Sequence, residues 1–166
     1  ACLQSVTWAD EIIVVDSGST DGTVAIAREF TPHVYQHDWP GFGAQKNRAL
    51  GYASKDWVLS LDADEVLSPG LIREIQDLKK MDDIPSRNAY KIKITAMYPG
   101  YTKPRLFANY YNLERLYNRR EATMPDDLSH DRVVLGENSR VVQLKNEIYH
   151  FSYVSLSKIW FKYNLY

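Results

Sequence analysis

Asp62 and Asp64 stand one residue apart at the end of the apolar run Trp57-Val-Leu-Ser-Leu61, and a third carboxylate follows at Glu65. Two carboxylates delivered together at the carboxyl end of a buried strand can hold a divalent cation over a phosphate, because hard oxygen donors suit such ions. Many strands end in acidic turns, so the pair gains its meaning from a second block upstream. Glu11-Ile-Ile-Val-Val-Asp16 is another apolar run closing on a carboxylate, and the turn cluster Ser17-Gly-Ser-Thr-Asp-Gly22 follows it. In an open α/β sheet, ligands sit outside the carboxyl ends of the strands, which places Asp16 and Asp62/Asp64 on one rim. For Asp16 by itself, an Asx turn and a ligand contact both remain open. Glu65 reads as a surface or a helix-entry residue.

The elements that must position these carboxylates alternate in type. Glu11 to Asp16 reads as a strand buried on both faces. Ser19, Thr20 or Asp21 can cap the helix Thr23 to Phe30, which Pro32 stops. His33 to Gln36 reads as a short strand. After the Pro40-Gly-Phe-Gly43 turn comes a second helix, Ala44 to Ala53, and then the strand Trp57 to Leu61. Ser68 caps and Pro69 starts a third helix through Lys80, with Leu71, Ile72, Ile75 and Leu78 as its buried stripe. This β-α-β-α-β-α order predicts a mostly parallel central sheet with right-handed crossovers, an α/β fold. Beyond Pro85 the pattern becomes β-rich and irregular, with strands expected at Ala89–Thr95, Glu114–Asn118 and Arg140–Leu144.

Composition narrows the classes further. The 166 residues suit one domain, with an alternating α/β half over 1–84, an irregular β-rich half over 85–153 and an amphipathic helix over 154–166. A net charge of −1 argues against a protein that works by coating nucleic acid. Lys103, Arg105, Arg115, Arg119 and Arg120 nevertheless gather in one stretch, where Arg115 and Lys103 read as solvated charge or as contacts to an anionic acceptor. The single cysteine, Cys2, excludes an internal disulfide and fits a reducing compartment. No apolar run reaches the ~18 residues of a membrane span, and no signal peptide is visible, which points to the cytoplasm. The tail from Val154 spaces Leu156, Ile159, Trp160 and Tyr163 helically beside Lys158 and Lys162. It suits either a membrane interface or docking on the domain.

Three ordered blocks carry a resemblance. Val14-Val-Asp-Ser-Gly-Ser-Thr-Asp-Gly-Thr23, Gly41-Phe-Gly-Ala-Gln-Lys-Asn-Arg-Ala-Leu50 and Trp57 to Glu65 resemble the nucleotide-sugar half of inverting family 2 glycosyltransferases of the GT-A fold. Trp8-Ala-Asp-Glu-Ile-Ile-Val14 resembles the bacterial branch that assembles lipopolysaccharide core and surface polysaccharides. Glu114-Arg-Leu-Tyr117, Ser129-His-Asp131 and the His150-Phe-Ser-Tyr region match more loosely.

The resemblance implies roles position by position. Asp16, with Ser17 beside it, would accept a hydrogen bond from the imide of a uracil-type base. Lys46, with Asn47, would lie near the base or diphosphate. Asp62 would face the ribose or the metal's water shell, and Asp64 would bind Mg²⁺ or Mn²⁺ directly. Asp131 would be the base that deprotonates an acceptor hydroxyl, with Asp126 and Asp127 as alternatives. His130 reads as a structural residue or a phosphate contact, and His150 as a strand-end histidine or a neighbour of the diphosphate or metal. The partners implied are a nucleotide-sugar donor, probed first with UDP, and a saccharide or lipid-linked acceptor, with peripheral contact to the inner face of the plasma membrane.

Relatives begin with an additional strand beside Glu11 to Asp16, which this sequence lacks. A truncated chain is therefore expected, with an unpaired strand edge near the base pocket. A non-catalytic sugar-nucleotide-binding remnant is the competing class. A phosphotransferase using Asp62 as nucleophile fits worse, because nothing after Leu67-Ser68 continues into a phosphate-binding loop.

Overall fold

The computed structural model describes residues 1–81, 84–85, 88–125 and 133–152. A short 3₁₀ turn at Leu3–Val6 precedes strand β1 (Val14–Asp16), helix α1 (Thr23–Arg28), β2 (Val34–Gln36) and α2 (Phe42–Tyr52). Strands β3 (Trp57–Leu59) and β4 (Glu65–Leu67) then lead to α3 (Pro69–Lys79). The rest is strand: β5 (Asn88–Ala96), β6 (Tyr110–Asn118), β7 (Ala122–Thr123), β8 (Val134–Leu135) and β9 (Arg140–His150).

The mixed α/β class holds, but the expectation of a mostly parallel sheet needs correction. β1 pairs parallel with β2, as the crossover rule requires. The five-stranded sheet has the order β3-β6-β5-β9-β4, and within it only β5 and β9 run parallel. The reason lies in the second half of the chain, whose long strands insert between β3 and β4 and pair antiparallel with both. Among the described residues, β1 pairs with β2 alone.

Local expectations fared well where a capping residue or a turn marks the boundary. Ser68 Oγ accepts the Leu71 N–H at 3.2 Å, and Pro69 opens α3. Leu71 and Ile75 bring that helix onto the sheet, where they join Leu67, Tyr90, Ile92, Ile94, Leu116 and Ile148 in the main core. Ile72 and Leu78 pack at its margin. At α1 the N-cap residue, Gly22, has no side chain to offer, but Asp21 before it accepts the Thr23 N–H at 3.0 Å. No described helix is long and apolar enough to cross a membrane.

Three features of the sheet escaped the sequence pattern. β4 is three residues long and owes its existence to antiparallel pairing with Ile148–His150. β6 begins four residues before the expected Glu114, at Tyr110. β9 runs past Leu144 to His150 through a break in register: Lys91 faces Gln143, whereas Lys93 faces Glu147. The backbone N–H groups of Lys145 and Asn146, freed by that break, donate to the Glu74 carboxylate of α3 at 2.9 and 3.0 Å. A helix side chain thus satisfies donors that the ladder cannot.

Candidate active site

The Asp62–Glu65 turn is held from inside. The Glu65 N–H donates to the Asp62 carbonyl at 3.0 Å, and the Glu65 carboxylate accepts the Asp62 N–H at 2.9 Å. Glu65 is therefore no surface residue. It is fully buried, and the expected exposed role is corrected. A buried carboxylate needs a partner. Arg115, only 2% exposed, supplies it. Its Nη2 donates to Glu65 Oε1 at 2.8 Å and to Asp62 Oδ2 at 2.9 Å.

The expectation of Arg115 as solvated charge or an acceptor contact is likewise corrected. The register explains the miss. Tyr90 of β5 faces Leu116 and Lys91 faces Glu114, so Arg115 is the extra residue of a β-bulge. Bulges re-aim a side chain, and strand periodicity cannot foresee where. The expected basic stretch is dispersed by the fold: Arg119 and Arg120 bond Lys55 and Asp56 at the other end of β6.

Helix α2 joins the two acidic blocks through adjacent residues. Gln45 Nε2 donates to Ser17 Oγ at 2.9 Å, next to Asp16. Lys46 Nζ lies 3.1 Å from Asp62 Oδ1. Gln45 was not among the expected site residues. Burial of a polar side chain one turn into a helix was its only signal, and that is visible only after folding. Asp16 forms the Asx turn that was one of its two readings: Oδ2 accepts the N–H groups of Gly18 and Ser19, both at 2.9 Å. Asn47 points elsewhere, its Nδ2 donating to the Met124 carbonyl at 2.8 Å. That bond anchors the chain just before the segment containing Asp126, Asp127, His130 and Asp131, which lies outside the described residues.

Asp64 meets the last turn of β9. His150 Nε2 is 3.2 Å from Asp64 Oδ2, and its Nδ1 is 3.3 Å from the Tyr111 hydroxyl. The Phe151 N–H donates to the Asp64 carbonyl at 2.8 Å. His150 is thus a strand-end histidine and a neighbour of the Asp-x-Asp turn together. The hydrogen bond to Asp64 raises the His150 pKa, against the opposing effect of burial. The same bond holds the Asp64 carboxyl below the usual carboxylate range. Burial opposes ionisation of Asp62, but Arg115 and Lys46 outweigh it and keep its pKa low. At Glu65 burial wins, and its carboxyl is pushed up despite Arg115.

The donor set suits a hard divalent cation shared with a ligand. No group of three or more His, Cys, Asp or Glu is clustered to hold a metal unaided among the described residues. Mg²⁺-type sites need no such cage, since one or two carboxylates, waters and substrate phosphates complete the coordination. Asp64 is the better placed donor, with a side chain 46% exposed. Asp62 has a cationic group on each carboxylate oxygen.

Comparison with known proteins shows the family and the fold. The family model of Glycosyl transferase family 2 matches residues 1–134. An uncharacterized glycosyltransferase of Rickettsia bellii is 37% identical over 165 residues, covering 95% of this chain and 56% of the relative. The lipopolysaccharide core biosynthesis glycosyltransferase LpsC of Rhizobium meliloti is 36% identical over 87 residues, covering 49% of this chain and 32% of LpsC. Among solved structures, S. aureus TarS 1-349 in complex with UDP superposes with a TM-score of 0.55 at 17% identity, covering 96% of this chain and 57% of that one. At that identity the likeness speaks for the fold, which is the GT-A fold. The chain spans little more than half the length of the Rickettsia relative.

Proposed function

The chain belongs to glycosyl transferase family 2, and from that premise we propose that it is the nucleotide-sugar-binding part of a metal-dependent, inverting glycosyltransferase. The observation that carries this reading is the Asp62-Ala-Asp64 turn, clamped from behind by Glu65 and Arg115 and joined through Lys46 and Gln45 to the Asp16–Ser17 turn.

In this reading the donor is a nucleoside diphosphate sugar of the UDP type. The UDP complex of TarS, which shares the fold, supports that choice of nucleotide. Asp16 and Ser17 face the base, and Lys46 stands by the diphosphate. Asp64 holds Mg²⁺ or Mn²⁺, with Asp62 at the ribose or at the ion's water shell. When bound, the ion neutralises charge on the diphosphate leaving group. An acceptor-side carboxylate, with Asp131 as the assignment, takes the proton of the attacking hydroxyl, and a single displacement inverts the anomeric centre. The likeness to LpsC supports a saccharide or lipid-linked acceptor of the bacterial cell envelope, met at the cytoplasmic face of the membrane.

Titration calorimetry with UDP, with and without Mn²⁺, tests the reading. The expected result is Mn²⁺-dependent binding that Asp64→Ala abolishes, with a stability loss no larger than the about 1 kcal/mol of the His150 contact. A second reading, nucleotide binding without turnover, is favoured by one observation: Lys46 and Arg115 each pair with a different oxygen of Asp62, so the chain's own cations compensate that carboxylate. Metal-independent UDP binding that survives Asp64→Ala, with no sugar released, selects that reading. Absence of any nucleoside diphosphate binding sinks both.

A further inference from the structure

The connection from β5 to β6 is unlike the rest of the surface. Two successive turns shape it, closed by Tyr101 N–H to the Tyr98 carbonyl at 3.1 Å and Ala108 N–H to the Arg105 carbonyl at 3.0 Å. The Arg105 guanidinium rests on the Tyr98 and Tyr101 rings, 5.7 and 5.3 Å from their centroids, which stiffens the loop. At its tip Leu106 is 85% exposed and Phe107 93%, the most exposed large apolar side chains described. Phe107 also holds φ +64°, an uncommon backbone state for a bulky residue. From Met97 to Leu113 the chain contains Lys103 and Arg105 but no aspartate or glutamate.

We propose that this hairpin is an interfacial anchor that docks the chain on an anionic lipid surface. Leu106 and Phe107 enter the headgroup boundary, and Lys103 and Arg105 meet lipid phosphates. Three observations converge. The tip carries both signals that stable peripheral binding needs, apolar insertion and basic charge. Tyrosines stand behind it, as aromatic side chains do at membrane interfaces. The absence of carboxylates removes the repulsion that an anionic surface would otherwise meet. A protein partner fits less well, because two projecting side chains fall far short of the roughly 800 Å² per partner of a stable interface. The base of the hairpin touches the site: the Met97 N–H donates to the His150 carbonyl at 2.8 Å, and Tyr111 bonds the His150 ring. Docking would therefore set the Asp64 turn close to the lipid surface. The inference goes beyond the transfer reading and stands apart from it, since its test reads lipid binding and no turnover.

The test is co-sedimentation with vesicles of phosphatidylcholine, and of phosphatidylcholine mixed with phosphatidylglycerol, at low and high salt. We expect binding to the phosphatidylglycerol vesicles that weakens with salt. Lys103→Gln and Arg105→Gln should each cost about fivefold in affinity. Leu106→Ser with Phe107→Ser should cost at least about tenfold, with an unchanged melting temperature because both side chains are exposed. No vesicle binding by the unaltered protein overturns the proposal. So does binding to which the Leu106→Ser/Phe107→Ser variant is indifferent, because another segment would then be the anchor. Loss of affinity for a soluble saccharide in that variant, with vesicle binding intact, makes the tip an acceptor platform and also overturns it.

Discussion

Arg115 Nη2 lies 2.8 Å from Glu65 Oε1, and the two side chains are 3% and 0% exposed, although 50 residues separate them in the chain. The bond ties the bulge of β6 to the turn that presents Asp62 and Asp64. Its loss leaves a carboxylate buried without a counter-charge.

Arg115→Ala is therefore expected to destabilise the protein by about 3–5 kcal/mol, the range for breaking a buried pair from one side. Glu65→Gln combined with Arg115→Met should recover much of that, because two neutral groups of similar volume have no charge to compensate. Urea unfolding of the single and double variants measures both. A single-variant loss under about 1 kcal/mol would mean that the pair does not hold the turn.

The His150–Asp64 contact makes stability depend on pH in metal-free buffer. His150 has a raised pKa, so its contribution is fully present below the ordinary histidine value and is lost as pH climbs through the raised one. Asp64 has a lowered pKa, so its share is fully present above the ordinary aspartate value and is lost as pH falls through the lowered one. With Asp64 46% exposed, solvent screening limits the pair to about 1 kcal/mol or less. Melting curves of the unaltered protein and His150→Gln, from about pH 5 to pH 9, should converge at the alkaline end. A gap that widens with pH contradicts the assignment.

Cys2 should resist thiol reagents. Burial, and then the nearby Glu65 carboxylate, push its thiol up to about 11. At pH ~8 the thiolate is scarce, so labelling by Ellman's reagent is expected to run about a hundredfold slower than for free cysteine. Labelling at the free-cysteine rate would show that the amino-terminal turn does not pack against the Asp62–Glu65 turn.

Two glycine substitutions in helices should have opposite signs. A Cβ on Gly70 would collide with Asn146 Oδ1 and stand 2.7 Å from its Cγ. Asn146 cannot easily withdraw, since its backbone N–H and Nδ2 both donate to Glu74, at 3.0 and 2.8 Å. Gly70→Ala should cost about 1–3 kcal/mol. A Cβ on Gly51 in α2 meets nothing within 4 Å. Gly51→Ala should gain about 0.4–1 kcal/mol by restricting the unfolded chain. Thermal melts of the two variants decide the matter.

Much of the first half was legible because its signals are local. Ser68-Pro69 opens α3, Pro32 follows the end of α1, and the apolar run closing on Asp16 marks the end of β1, whereas β3 stops at Leu59, before Asp62. Each depends on residues within a turn or two. The second half was less legible, because strands there are defined by distant partners. β4 exists only beside Ile148–His150, and β9 crosses its polar stretch because Glu74 satisfies the freed N–H groups.

The same division runs through the site. The residue order alone determined that two apolar runs close on carboxylates, that a lysine precedes Asn47, and that the blocks follow one another as in glycosyl transferase family 2. Only the tertiary structure decided which charges meet. It turned Glu65 from a surface residue into a buried clamp, and it took Arg115 out of solvent to face that clamp. It set His150 against Asp64 rather than leaving it at an isolated strand end. Charge pairing between residues far apart in sequence is settled by sheet register: the bulge at Arg115 interrupts β5–β6, and the β4–β9 pairing brings His150 beside Glu65.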